Sequence, residues 1–252
     1  MDRNRESVSG LTVVVPVLDE IGEIVSWIRH TAGRLPGSAI LVVDGGSTDD
    51  TVDAVRGLME KPAKRKLDEA VGEVRLQVLD SVRGRGSQLA AGARHALDGG
   101  ASHLLFLHVD TALSPEAAGS VVRACSDPGF RWGWFKLRLD GSSWQERLIE
   151  RGINVRARWT GRPTGDQGLL VSRETYEASG GFAPIPLFED VDLADRLRRE
   201  GKGRRLAGEV ITSGRRYRQE GYFQTTLLMW WLRLRWRLGS TPESLARRYG
   251  AS

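Results

Sequence analysis

The sequence predicts an α/β fold built on a mostly parallel sheet with helices on its faces. Two patterns carry that reading: short β-branched apolar runs alternate with stretches of helical spacing, and charged or polar residues gather directly after four of the runs. Parallel strands are covered on both faces, so they read as continuous apolar segments, and their ligands bind beyond the carboxyl ends. The first run, Leu11-Thr12-Val13-Val14-Val15, is expected to be a strand stopped by Pro16, which has no N–H to give to a ladder. Ile21 to Ala32 follows at helical spacing. Ala39 to Val43 predicts a second strand ending in Asp44-Gly45-Gly46-Ser47-Thr48-Asp49, and Thr51 to Leu58 a second helix. Met59 to Glu73, Lys-rich and holding Pro62, reads as a solvated helix end and connector. Val74 to Leu79 predicts a third strand, Gln88 to Leu97 a helix, and His103 to Leu107 a fourth strand closing on His108-Val109-Asp110. Beyond residue 130 the pattern loosens. Phe130 to Leu139 reads as a strand, Ser143 to Trp159 as an Arg-rich amphipathic helix, Gly168 to Val171 as a short strand and Gly180-Gly181-Phe182 as a turn. Asp190 to Glu200 begins a helix with acids in its first turn and Arg in its last, as the helix dipole favours.

Composition sets the outer bounds. The 252 residues hold 37 Lys and Arg against 32 Asp and Glu, and 40% are hydrophobic, which excludes disordered and fibrous classes. A chain of this length removes roughly three quarters of its unfolded surface from water and needs no staple to build a core. The single Cys125 excludes an intramolecular disulfide and a cysteine-cluster metal site. Met1 to Gly10 is polar and lacks the apolar core of a signal peptide, so a cytoplasmic location is expected. Charge is unevenly spread: residues 1–130 carry 14 Lys and Arg against 18 Asp and Glu, residues 131–252 carry 23 against 14. An acidic first half and a basic second half suit a substrate that meets a metal or sugar on one side and phosphate on the other. A nucleic-acid surface, an anionic membrane surface, or solvated Arg-rich helices produce the same asymmetry.

The polar residues after the strands are Asp19 and Glu20, Asp44 to Asp49, Arg83 and Arg85, and Asp110. A helix N-cap explains any one such loop, Ser47 or Thr48 being natural caps; it explains four together poorly.

Pro16-Val17-Leu18-Asp19-Glu20 followed by Asp44-Gly45-Gly46-Ser47-Thr48-Asp49 resembles the nucleotide-binding half of family 2 glycosyltransferases, of the Rossmann-like GT-A fold. His108-Val109-Asp110 stands where that family has its Asp-x-Asp metal motif. Gly165-Asp166-Gln167-Gly168 resembles its acceptor-side loop, and Glu189-Asp190 its Glu-Asp base motif. The likeness runs from about Leu11 to Tyr217. With Arg215-Arg216 included, it narrows to a bacterial subgroup named after arsenosugar biosynthesis. The resemblance implies hexosyl transfer from a nucleotide-sugar, a UDP-sugar first among them, to a hydroxyl acceptor with inversion, Asp190 acting as general base. Pro16, Asp19, Glu20, Asp44, Arg83, Arg85 and His108 would hold the nucleotide-sugar. Asp166, Gln167 and Glu189 would meet the acceptor or donor sugar, and Asp110 a divalent Mg or Mn. With His108 in place of the first acid, the motif has one negative charge fewer and a weaker hold on a hard ion.

Three rival signals remain. Gly84-Arg85-Gly86 opens a helix after a strand like the start of a dinucleotide fingerprint, but Leu89 takes the third glycine's place and the strand is the third, not the first. A nucleotidyltransferase of similar topology would carry a Gly- and Lys/Arg-rich cradle after the first strand, and Pro16 to Glu20 offers none. A basic nucleic-acid or membrane module explains the second-half charge but not the four polar strand ends, and nucleic acid is not expected as a partner. Finally, the chain divides into a catalytic domain over residues 1–221 and a helical extension over 222–252. Tyr222 to Leu238 interleaves Trp230 and Trp231 with Arg233, Arg235 and Arg237 and is too short in apolar residues to span a bilayer. It reads as a peripheral membrane contact near a lipid-linked acceptor, a homodimer contact, or a core helix.

Overall fold

The computed structural model describes residues 8–60 and 74–250. Within them, one sheet is built from β1 (Leu11–Val17), β2 (Ala39–Asp44), β3 (Arg75–Asp80), β4 (His103–Phe106), β5 (Thr111–Leu113), β6 (Trp132–Leu139), β7 (Leu169–Ser172) and β8 (Arg204–Thr212). The strand order is β3-β2-β1-β4-β7-β6-β8-β5. β3, β2, β1 and β4 are mutually parallel, so their carboxyl ends share one edge. β7 runs antiparallel to β4 and to β6, which brings the start of β7 to that same edge. β6 and β8 are parallel, and β5 pairs antiparallel with β8.

β1 shows why the apolar runs are continuous. Val13, Val15 and Val17 enter the core on one face of the sheet, and Val14 enters the core on the other. Ile40 and Val42 of β2 divide from Leu41 and Val43 in the same way. Pro16 does not end the strand. The carbonyl of Val14 accepts from Leu107 on the β4 side, and that of Val17 accepts from Gly45 on the β2 side. By this alternation Pro16 faces β4, whose ladder with β1 has already ended at Val14 opposite Phe106, so its missing N–H breaks no ladder bond.

The helices are α1 (Ile24–Arg34), α2 (Thr51–Glu60), α3 (Arg85–Asp98), α4 (Pro115–Cys125), α5 (Trp144–Thr160), α6 (Arg173–Ala178), α7 (Glu189–Glu200), α8 (Arg215–Glu220), α9 (Tyr222–Arg237) and α10 (Pro242–Gly250). α1 begins three residues later than its spacing predicts, because Ile21 to Glu23 form a turn pinned by Asp49 and Thr51. Most of the connector expected over residues 59–73 lies, from 61 on, outside the described residues. β5, α4, α6, β8, α8 and α10 are additions to the sequence reading. A start signal for α4 was present: Ser114 caps it, accepting from the Ala117 N–H, with Pro115 in the first turn. α5 opens on a full capping box between Ser143 and Glu146. The C-terminal helices dock on the residues ahead of α7: Leu232 and Leu245 are buried with Leu187 and Phe188 in a small third core.

Two glycines separate packing from backbone freedom. A Cβ on Gly92 of α3 would sit 2.6 Å from Val14 Cγ1 and 2.7 Å from Val43 Cγ2, whereas one on Gly57 of α2 meets nothing within 4 Å. Chemical denaturation should therefore show Gly92→Ala destabilised by about 1–3 kcal/mol and Gly57→Ala stabilised by about 0.5–1 kcal/mol.

Candidate active site

The loops after β1 and β2 are tied together by carboxylates that accept backbone N–H groups. Asp44, buried at the end of β2, receives the N–H groups of Gly46 and Ser47 and the Ser47 hydroxyl. Asp19 is exposed and adopts a left-handed backbone with φ 55°. Its carboxylate receives the N–H groups of Thr48, at 2.7 Å, and Asp49, while its own N–H goes to the Ser47 hydroxyl. Asp49, not Ser47 or Thr48, caps α2 by accepting from Thr51. Asp19 and Asp44 thus build the loop that the sequence reading gave them to line. Glu20 remains open. Burial, Glu23 and Asp110 raise its pKa, so it lies within electrostatic reach of Asp110. Gln88, unflagged by sequence, clamps the edge: its Nε2 donates at 2.8 Å to the carbonyls of both Val17 and Val43.

Past β4, the loop 165–168 lies against His108. A Cβ on Gly165 would fall 3.0 Å from the imidazole, and Gly165 N–H donates to Asp190 Oδ2 at 2.6 Å. His108 Nδ1 lies 3.1 Å from Asp166 Oδ1. Burial opposes both charges in this pair, and the hydrogen bond overrides it: His108 is raised above its ordinary value and Asp166 is held down at about 2. Asp110 is raised, first by burial and also by Asp166, against the lowering effect of His108. Gln167 does not line the site as expected. It is fully buried, with its Oε1 accepting from Thr164 N–H and its Nε2 donating to the Phe135 carbonyl.

Glu189 and Asp190 open α7 after Phe188, whose backbone is left-handed at φ 64°. Such a conformation is unfavourable for a bulky residue, and it is held here by burial of the ring against Trp236 of α9. Glu189 is 1% exposed; one oxygen pairs with Arg85 at the start of α3, and Oε2 is buried with no hydrogen-bond partner. Burial opposes the Arg85 charge, but Glu189 and Asp190 keep it protonated. Arg85 is therefore engaged by protein, and Arg83 is exposed at the same edge. The Gly84-Arg85-Gly86 turn has a packing cause: a Cβ on Gly86 would meet the carbonyls of Ile185 and Ala183 at 2.6 and 2.7 Å.

Arg156 of α5 and Arg233 of α9 complete the cluster through charge coupling to Asp166 and Asp190, and Tyr217 of α8 through coupling to Asp166; the sequence reading gave none of them to the site and put Arg233 with the membrane-facing stretch. Only their Arg-rich surroundings hinted at them. For a divalent cation, the donor set is small. Among the described residues no three His, Cys, Asp or Glu side chains group to hold a metal, and His108 is turned toward Asp166. One recessed carboxylate, Asp110, fits an ion carried chiefly by phosphate oxygens and water.

The profile of glycosyl transferase family 2 matches residues 12–185. No curated protein matches the sequence. Among solved structures, the chain is similar to the mannosyltransferase PcManGT from Pyrobaculum calidifontis in complex with GDP-Man and Mn2+ (TM-score 0.60, 18% identity, 92% of this chain and 62% of that one). It is also similar to S. aureus TarS 1-349 in complex with UDP-GlcNAc (TM-score 0.56, 16% identity, 81% and 56%). A third likeness is to GalNAc-T7 with UDP, GalNAc and Mn2+ (0.57, 14%, 84% and 44%). The chain thus spans less than two thirds of each, and at these identities the likeness shows the fold, which is the GT-A type expected.

The His108–Asp166 pair predicts a titration. His108 is raised above its unfolded value, so its contribution to stability is complete below about pH 6.5 and is lost as pH rises through its folded pKa. Asp166 contributes above its unfolded value of 3.8, and that contribution is lost as pH falls toward 2. In Asp166→Asn, burial and Arg85 still lower His108, and of the groups that raise it only Asp110, the smallest contributor, remains. An NMR titration should then place His108 below 6.5.

Proposed function

The chain belongs to glycosyl transferase family 2, and from that premise we propose that it moves a hexosyl group from a nucleotide-sugar, foremost a UDP-sugar, to an acceptor hydroxyl with inversion. The observation that carries this reading is the pair at the start of α7: Asp190 oriented by the Gly165 N–H, beside a Glu189 oxygen that is buried without a donor. The narrower likeness to the subgroup named after arsenosugar biosynthesis fits the same residues and adds no acceptor.

In this reading Asp190 takes the acceptor proton. Its two oxygens each accept one backbone N–H, from Gly165 and from Val191, which fixes the carboxylate plane and leaves a lone pair on each. Glu189 Oε2 accepts from a sugar hydroxyl, which supplies the hydrogen bond that the protein does not. Arg83 meets the diphosphate. Arg85 pairs with Glu189 and holds it in place. Asp19 and Asp44 shape the nucleoside loop, with Pro16 and Glu20 along its wall. Asp110 would anchor a Mg or Mn ion, which when bound neutralises diphosphate charge. The match of the family profile ends before α7, so Asp190 is assigned on geometry and motif. The nucleotidyltransferase reading gains nothing, since the β1 loop is built on Asp19 and Asp44 and offers no cationic phosphate cradle.

The acceptor reaches the site from a membrane surface in this proposal. Phe223, Leu227, Trp230, Leu234 and Leu238 form one stripe at helical spacing along α9 and its end, each more than half exposed. α5 packs beside α9 and exposes Trp144, Leu148, Val155 and Trp159. Arg151, Arg158, Arg235 and Arg237 accompany them, which suits anionic headgroups and opposes pairing of two such faces. No helix among the described residues is long and apolar enough to cross a membrane. A cytoplasmic enzyme at the inner face of the cell membrane is the location this implies.

A positioned base contributes roughly 10²–10⁴-fold. Asp190→Asn should lose that much turnover in a donor-consumption assay and still bind UDP; a fully active variant removes Asp190 from the mechanism. Calorimetry with UDP, GDP and CMP, with and without Mn2+, should rank UDP first, and absence of binding by all three refutes the assignment. On anionic phospholipid vesicles the full chain should float, and a Trp159→Ser/Trp230→Ser double variant should sediment. Equal flotation would dismiss the membrane contact.

A further inference from the structure

We propose that Arg156 and Arg233 form an oxyanion subsite on the acceptor side of Asp166 and Asp190, which takes a phosphate or carboxylate carried by the acceptor; this rests on the glycosyltransferase reading of the site. The two residues come from different helices. α5 brings Arg156 and α9 brings Arg233 where the two helices pack together. Nε and Nη2 of Arg156 and Nε of Arg233 are buried without a hydrogen-bond partner, and neither guanidinium forms an ion pair among the described residues.

Buried guanidinium nitrogens without acceptors are costly, and two near one another add repulsion. Arg156 shows it: burial first, then Arg233, bring its pKa down to about 10. The groups that face the pair do not relieve it. Asp190 is within electrostatic reach, but its oxygens are given to the N–H groups of Gly165 and Val191. Asp166 is paired with His108. Tyr217 adds a phenol from α8, its own pKa raised by burial, and Arg237 adds a further like charge to Arg233. A two-oxygen anion supplies what is missing, because the guanidinium fork matches phosphate and carboxylate in a bidentate way.

Position favours the acceptor over the donor. The carboxylates that act on this pair are Asp166 and Asp190, whereas Asp110 and Asp49 act on Glu20 at the nucleotide loops. Arg233 follows Leu232, which is buried with Leu187 and Phe188 just ahead of the proposed base, whereas the nucleotide loops follow β1 and β2 and are tied together by Asp19. The hydroxyl that Asp190 deprotonates would belong to a molecule whose own negative group sits between α5 and α9.

The test uses full-length protein, Arg156→Gln, Arg233→Gln and Arg156→Lys, titrated calorimetrically with inorganic phosphate alone and with saturating UDP. Wild type should bind phosphate saturably in both states. Each Gln variant should weaken that binding about tenfold or more, Arg156→Lys less so, with UDP affinity kept within about twofold. In phosphate-free buffer the Gln variants should melt no lower than wild type, since an unpaired buried charge has been removed, and should lose the rise in Tm that phosphate gives the wild type. No saturable phosphate binding, or binding unchanged in the variants, overturns the subsite. Displacement of phosphate by UDP overturns the acceptor-side placement and gives the arginines to the donor diphosphate. Arginine-dependent phosphate binding without binding of UDP, GDP or CMP supports the subsite and refutes the glycosyltransferase reading on which it was placed.

Discussion

The loops beyond the carboxyl ends of parallel strands carry backbone N–H groups that no neighbouring strand can satisfy, and this requirement organises the whole edge. Carboxylates meet it here. Asp44 receives Gly46 and Ser47, Asp19 receives Thr48 and Asp49, Asp49 receives Thr51, and Asp190 receives Gly165. The bonds to Asp44 and Asp49 are local, spanning two or three residues, and the long-range ones tie the β1 loop to the β2 loop and the 165–168 loop to α7. An edge rich in acids is thus partly a structural necessity, and the residues left over are the ones free for a ligand.

What is left over is unevenly distributed. Arg85 and His108 each take one acid, Glu189 and Asp166, and those pairs are internally balanced. Among the described residues, Glu189 Oε2, Nε and Nη2 of Arg156 and Nε of Arg233 are buried without a hydrogen-bond partner. A buried acceptor beside Asp190 in sequence, and buried guanidinium donors that feel its charge, are polar demands the protein itself does not meet. The left-handed backbone at Phe188 places that carboxylate, and Trp236 of α9 holds Phe188, so the C-terminal helices belong to the construction of the site.

α9 has a second character on its outer face. Leu232 and Thr225 are buried, while the Phe223 to Leu238 stripe is exposed. A helix that offered only core residues inward would place its arginines outward; α9 instead sends Arg233 inward and leaves tryptophan and leucine outside. The same inversion occurs in α5, where Ala157 is buried, Arg156 is recessed and Trp159 is 84% exposed. Both helices thus turn a cation inward and apolar side chains toward the surroundings.

By itself the sequence determined the parallel half of the sheet, because strands buried on both faces leave β-branched runs and their turn residues mark the ends. Leu11 to Val15, Ala39 to Val43 and His103 to Leu107 were legible on that ground, within two residues of the strands formed, as was Asp110 among the polar residues at their ends, whereas Asp166, Glu189 and Asp190 were reached only through the family resemblance. β5 and β8 were not legible: β5 is three residues long, and Arg204 to Thr212 is half exposed, so neither carries a strong apolar run. Only the tertiary structure decided which acids are available. Asp44 and Asp19 look identical to Asp110 in a sequence, yet the first two are taken by backbone N–H groups and the third is recessed beside His108. Arg156 and Arg233, 77 residues apart in the sequence, meet only because α5 and α9 pack together, and charge pairing at such a distance leaves no local pattern to read.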